Sequence, residues 1–293
     1  MNLVLTVLNI TAPVFLLAAV GFVWVKLGFE YRVAFVTRLA MTLSVPCLIF
    51  VALMKTEIDP EALAALSVAS FAAYALVALA MFAMVKIARI DVQTYLAPLI
   101  FGNTGNLGLP LALFAFGQQG LGYAVVVFAV MGILSFTVGI WLVSGGGSLL
   151  RLVKEPLVGA TLLGALFLWK GWQTPLFLTN TLELIGQIAI PVMLITLGVA
   201  VARLETKAIT QAVALSVVKI GGCFGIGWAV AWWFGLDPVA AAVLIVQLAT
   251  PVAVTSYLLA EKYGADAQPV AGMVVVSTLL SVVTLPLILA FVI

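Results

Sequence analysis

The segment Gly102-Asn103-Thr104-Gly105-Asn106-Leu107-Gly108-Leu109-Pro110 places three glycines, two asparagines, a threonine and a proline inside an otherwise apolar run. Glycine loses the most backbone freedom on ordering, and proline removes a donor and collides with the preceding turn. A continuous α-helix is therefore disfavoured here. The surrounding stretch, Val92 to Leu150, carries no charged residue, so the interruption falls at membrane depth. Unwound backbone survives there only when buried in protein or lining a polar cavity. A second interruption, Gln247-Leu248-Ala249-Thr250-Pro251, lies in another apolar run. Helices restarting near Pro110 and Pro251 would aim free N–H groups and positive dipole ends at the gaps. Asn103, Thr104, Gly105 and Asn106 on one segment, and Gln247 and Thr250 on the other, line the expected gaps. Such a site suits an organic carboxylate. The plainer reading, that each proline only kinks its helix, is the default for Pro13, Pro46 and Pro191, which lack a polar cluster beside them.

Lys219 is the one charged residue deep inside an apolar run. Burying it costs at least ~2.5 kcal/mol on insertion scales. It reads equally as a counter-charge for an anion, as a group that changes protonation during a cycle, or as a structurally bonded or snorkelling lysine. Glu183, Asp237 and Glu261 lie near span ends, which disfavours proton coupling through a buried acidic pair. Sodium coupling through unwound carbonyls stays open, as does transport without a coupling ion; no cofactor is expected. The chain has no histidine, and Cys47 and Cys223 lack metal-ligand spacing, so no metal centre is expected. Hydrolytic machinery is not visible either, so the chain does not read as an enzyme. A formal charge of +2, scattered along the chain, excludes a nucleic-acid-binding face.

The elements that must hold these residues are membrane helices. Of 293 residues 65% are hydrophobic and 8% charged, with mean hydropathy +1.30, whereas soluble domains carry about a quarter charged residues. A bilayer core takes roughly 20 apolar helical residues, which divides the chain into ten spans: 3–25, 33–54, 62–85, 93–117, 121–143, 156–173, 181–202, 208–234, 238–262 and 268–292. The acidic cluster Glu57, Asp59 and Glu61 bounds the third span, and Gly117-Gln118-Gln119-Gly120 divides the fourth from the fifth. Lacking a basic segment before it, the first run reads as a retained helix and not as a signal peptide. With the N-terminus outside, ten basic residues fall in cytoplasmic loops and only Lys55 and Lys170 in outer ones. Both termini are therefore expected outside.

The ten spans form two five-helix halves, 1–143 and 156–293, joined by a cytoplasmic linker, 144–155, with Ser144-Gly145-Gly146-Gly147-Ser148 at its start. Because five is odd, the halves insert with opposite orientation. Val45-Pro46 and Ile190-Pro191, Leu99-Ile100 and Leu244-Ile245, Gly117 and Gly264, and Leu134-Ser135 and Leu280-Ser281 recur at an offset of about 145 residues. Inverted repeats with interrupted spans in matching positions mark secondary carriers.

Gly102 to Leu111 resembles the fourth-helix signature of the auxin efflux carrier family. So do Val45-Pro46-Cys47-Leu48-Ile49-Phe50, Glu155-Pro156-Leu157, Thr250-Pro251-Val252-Ala253 through Gly264, and Ser277-Thr278-Leu279-Leu280-Ser281 with Pro286. The resemblance implies an all-α integral membrane fold like that of bile acid sodium symporters, with scaffold and transport subdomains. It also implies broken fourth and ninth helices crossing at the midplane, elevator-type alternating access and a homodimer. Family members carry auxin in plants and malonate or malate in bacteria. Where the plant exporters have an asparagine beside the ninth-helix proline, this chain has Gln247 and Thr250, which points away from auxin. The short central linker resembles that of bacterial PIN-like members, which implies the inner (plasma) membrane. The expected function is a carrier of mono- or dicarboxylates. The rivals are a channel and a membrane sensor or receptor, the latter expected to need an attached signalling domain.

Overall fold

The computed structural model describes residues 3–55, 58–144, 156–203 and 209–293. The expected linker beyond Ser144, with Glu155, lies outside the described residues, as do Glu57, Arg151, Lys154 and Lys207. The described residues are mostly helical, with no strand. Helix α1 is Leu3–Lys26. Helices α2 (Val33–Leu39) and α3 (Val45–Met54) are joined by a wide π turn, Ala40–Ser44. Pro46 has no N–H to return to Thr42, and the extra residue of a π turn absorbs that loss as a bend. Helix α4 is Pro60–Ile87, and α5 is Val92–Ile100. A second π turn, Thr104–Gly108, leads into α6, Leu109–Leu134, which turns at Gly117 with φ +62°. A third, Ser135–Gly139, precedes α7, Ile140–Ser144.

The second half comprises α8 (Pro156–Lys170), α9 (Leu176–Gln187), α10 (Ala189–Arg203), α11 (Ile209–Trp233), α12 (Pro238–Leu248), α13 (Val254–Tyr263) and α14 (Ala267–Val292). The seventh expected span begins earlier, at Leu176, and divides at Ile188. Its first turns hold Thr179, Asn180, Thr181 and Glu183, which dilute the hydropathy signal that sets a boundary. Pro191 cannot bond back to Gln187, so the helix parts there. Aspartates at helix starts accept backbone N–H groups: Asp91 from Thr94 (2.7 Å), and Asp237 from Val239 (3.0 Å) and Ala240 (3.3 Å). A carboxylate is favoured at that positive end.

Among the described residues, seven helical stretches are each long and apolar enough to cross a bilayer. Three places account for the difference from ten. Residues 104–144 run as one 41-residue stretch through the turn at Gly117, α8 has 15 residues, and α12 and α13 are separate short helices of 11 and 10 residues. Fifteen residues of helix reach only ~22 Å of a core about 30 Å thick. The outward surface is apolar, as a lipid-facing surface must be: Leu16, Leu79, Leu162, Val283 and Phe291 are all well exposed. Trp24, Trp169, Trp232 and Trp233 are exposed near helix ends, where indole suits the headgroup region.

Packing sorts the helices into two groups. In one, α1 lies along α10, α2 touches α10, and α3 packs on α8 and α9. In the other, α4 to α7 and α11 to α14 pack among themselves. The seam is crossed by fewer contacts, chiefly α1 on α6 and α14, α3 on α6, and α10 on the Thr104–Gly108 turn.

Candidate functional site

Both expected interruptions are real breaks, and they meet. Helix α5 ends at Ile100, and Phe101 is extended. Gly102 then pairs with Val252 in an isolated antiparallel bridge, and the Asn103 N–H donates to the Pro251 carbonyl at 2.7 Å. Asn103 opens the next turn. Its side-chain Oδ1 accepts from the Asn106 N–H at 3.3 Å, while its carbonyl accepts from Leu107 (3.1 Å) and Gly108 (3.2 Å). On the other strand of the crossing, α12 stops at Leu248. The Thr250 hydroxyl donates to the Gln247 carbonyl at 2.6 Å, and the Val252 N–H donates to Ser277 Oγ at 2.9 Å. Helix α13 starts at Val254 with no side-chain cap, leaving first-turn N–H groups near the crossing.

Glycine is required where the chains pass. A Cβ on Gly102 would collide with the Thr250 hydroxyl, and one on Gly108 with the side-chain carbonyl of Gln247. Around Gly105 the walls are Phe128 and Met193 of α10, which a Cβ would meet at 3.0 and 3.3 Å. The crossing is thus built within one helix group and touched by the other at Met193.

The polar groups are deeply placed. Asn103, Thr104, Gln247, Thr250 and Lys219 are buried, the last four at 0% exposure. Gly105, Pro110 and Pro251 are buried too, and Asn106 alone of the nine candidates is partly exposed. Lys219, on α11, donates from Nζ to the Thr250 carbonyl at 3.1 Å. Among the described residues its ammonium meets no carboxylate; the ion pairs there are Arg32–Glu30 and Lys55–Glu183. Its Nζ thus lies at the C-terminal end of α12, the negative end of that helix's dipole. Gln247 donates from Nε2 to the Ala124 carbonyl at 3.4 Å. Asn103 Nδ2, Thr104 Oγ1, Gln247 Oε1 and Ser216 Oγ are buried without a hydrogen-bond partner. Such groups cost about 1–3 kcal/mol each when left unpaired; of the nine such atoms among the described residues, three belong to the crossing. The structure therefore brings the predicted residues into one neighbourhood.

Ser277 was not among the sequence candidates. It stands in a motif that the sequence displays, but its hydroxyl serves the crossing only through the fold. Beside the crossing, a cavity of about 1030 Å³ opens between α3, the α9–α10 junction and the Gly117 turn of α6. Its polar walls are Lys55, Gln118, Gln119, Glu183 and Gln187, and none of the nine candidates lines it. No three His, Cys, Asp or Glu residues gather among the described residues, and Cys47 and Cys223 are free thiols.

Apolar helices in such number, with polar groups held at two paired breaks, define a multi-pass membrane protein. The chain belongs to the membrane transport protein family, that of the auxin efflux carriers, which it matches over residues 6–148 and 140–289. It is 24% identical over 210 residues to a protein of Rhizobium meliloti (strain 1021) named "Putative malonate transporter". It is 27% identical over 202 residues to an uncharacterized transporter of Methanocaldococcus jannaschii. These matches cover 63% and 64% of this chain and 62% and 64% of the relatives, so the chain spans under two thirds of each relative's length. The family and these relatives are transporters, not enzymes.

Proposed function

We propose that the protein is a secondary carrier of small organic anions, mono- or dicarboxylates, that binds its substrate where the two interrupted helices cross. The observation carrying this reading is the backbone pairing of Gly102 with Val252 and of Asn103 with Pro251, which brings two helix restarts and unpaired amide groups to one buried point. In this reading α5 to Gly117 forms the fourth span and α12 with α13 the ninth. The chain is then ten spans in two inverted five-helix repeats, 1–143 and 156–293. The weaker packing between the two helix groups supports elevator-type alternating access, with α1–α3 and α8–α10 as scaffold. The carboxylate is recognised by Asn103, Thr104, Asn106 and Gln247, with Gly105, Pro110, Thr250 and Pro251 shaping the site and Lys219 balancing charge. The "malonate" in a relative's name agrees with that substrate class. The carrier works as a homodimer in the inner (plasma) membrane, both termini outside, and needs no cofactor. Sodium coupling through break carbonyls is tested by whether a sodium gradient drives uptake.

The decisive experiment is malonate counterflow in proteoliposomes. Internal malonate should accelerate uptake of labelled malonate, and Asn103→Ala or Asn106→Ala should abolish tight binding by a folded protein. Flux without acceleration would make the protein a channel. Unchanged affinity in both variants would move the site elsewhere.

A further inference from the structure

The cavity beside the crossing is not explained by the crossing itself. It lies on the seam between the two helix groups, with Lys55, Glu183 and Gln187 on one wall and Gln118 and Gln119 on the other. Its 1030 Å³ is at the upper end of the ~300–1,000 Å³ usual for small-molecule sites. It is also close to the proposed substrate site. Leu113 lines it, three residues after Pro110 in the same helix, or about 4.5 Å along the axis. From the other wall, Ile190 and Pro191 line it, and Met193, less than a turn further on, touches the Gly105 segment.

Lys55 is the cation on these walls, and its Nζ is paired with Glu183 Oε1. The pair joins the end of α3 to α9, with side-chain exposures of 49% and 33%. A half-exposed pair of this kind contributes little net free energy, because water solvates either partner almost as well. Exchanging one carboxylate for another at Lys55 is then nearly neutral. We infer that this vestibule is a first binding site for the carboxylate substrate, in which Lys55 takes the anion and Glu183 is the built-in competitor it displaces. The inference rests on the carrier reading and adds a second, weaker station to it. Gln118, Gln119 and Gln187 supply amide donors once Lys55 is engaged. Glu183, waiting beside Lys55, reclaims it when the anion moves on, which keeps the station from trapping its guest.

A pair that merely staples α3 to α9 makes a different prediction, so the signs of two substitutions decide. Saturation-transfer NMR with malonate on purified protein reads weak contacts directly. In Asn103→Ala, where the crossing no longer binds, a weak malonate contact should persist. Adding Lys55→Gln should abolish it, and adding Glu183→Gln should lower its half-saturation concentration about fivefold, an effect that shrinks at high salt. Loss of all contact in Asn103→Ala alone overturns the inference. So does a contact that survives without Lys55, or one that Glu183→Gln weakens, as opening a staple would. Tight binding that survives Asn103→Ala refutes the placement of substrate at the crossing instead. Should Asn103→Ala fail to fold, initial uptake rates of the single variants carry the same test. Lys55→Gln should raise KM and Glu183→Gln lower it, both with kcat retained; equal shifts in one direction overturn the inference.

Discussion

Gly102→Ala is the most direct probe of the crossing, because it adds one methyl at the point where the two breaks touch. That methyl would overlap Thr250 Oγ1 and lie 3.1 Å from the Thr250 carbonyl. Thr250 is fully buried and its hydroxyl donates to Gln247 at 2.6 Å, so it has nowhere to swing without losing that bond. Overpacking a tight core costs about 1–3 kcal/mol, and the lost hydrogen bond about 0.5–1.5 kcal/mol. Together they come to ~2–4 kcal/mol, enough to change the unfolded fraction by about 30- to 1,000-fold. SDS titration in mixed micelles, followed by helical circular dichroism, reads the loss, and malonate uptake should fall with it. The reasoning makes a sharper demand on the double variant Gly102→Ala/Thr250→Ala. The new methyl overlaps the hydroxyl, whereas the Thr250 Cβ stands at 3.4 Å, an ordinary contact. Removing the hydroxyl should relieve the overlap, so the double variant should be more stable than the sum of the singles by about 1–3 kcal/mol. Additive losses, or a Gly102→Ala protein as stable as wild type, would show that the two breaks do not press on each other as described.

Two further predictions concern charge. The Asp91 carboxyl is held below its usual range, chiefly by the Thr94 side-chain hydrogen bond; burial opposes this, and the backbone N–H groups of Thr94 and Gln93 add smaller lowering contributions. Its folded value lies below its unfolded one, so its stabilisation is present at neutral pH and lost as pH falls through ~4 and below. Asp91→Ala should therefore lower stability by about 1 kcal/mol at pH 7, a gap that closes in acid; a gap independent of pH would remove the carboxylate from the account. Lys219→Gln keeps a donor for the Thr250 carbonyl and removes the charge. It should weaken malonate binding about tenfold, ~1.4 kcal/mol, and unchanged affinity would confine the lysine to its structural bond.

What the sequence discloses here follows from what the bilayer forbids. Gly102 to Pro110 cannot run as a regular helix, and Thr250-Pro251 cannot either, so both breaks were legible from residue types alone. Span boundaries were legible where a charge or an N-cap aspartate sits at the edge, as at Asp91 and Asp237. They were not at Leu176, where threonines and Glu183 make the first turns of a helix look like a loop. Contacts made across the fold are invisible to a linear reading. Nothing in the sequence links Ser277 to Val252, Lys219 to Thr250, or Lys55 to Glu183. The sequence reading placed Lys55 in an outer loop and Glu183 near a span end, and only packing sets them on one cavity wall.

The bond from Asn103 to Pro251 also bears on how the protein is made. When α1 to α7 have left the ribosome, the amide of Asn103 has no acceptor, since its partner, Pro251, lies about half the chain further on. The early half must therefore wait in the lipid with an open seam, satisfied by transient water, neighbouring side chains or an assisting protein. Closure of so long a loop is slow. A ribosome stalled before α12 should thus leave a product prone to proteolysis and quality control, although its earlier helices are already made.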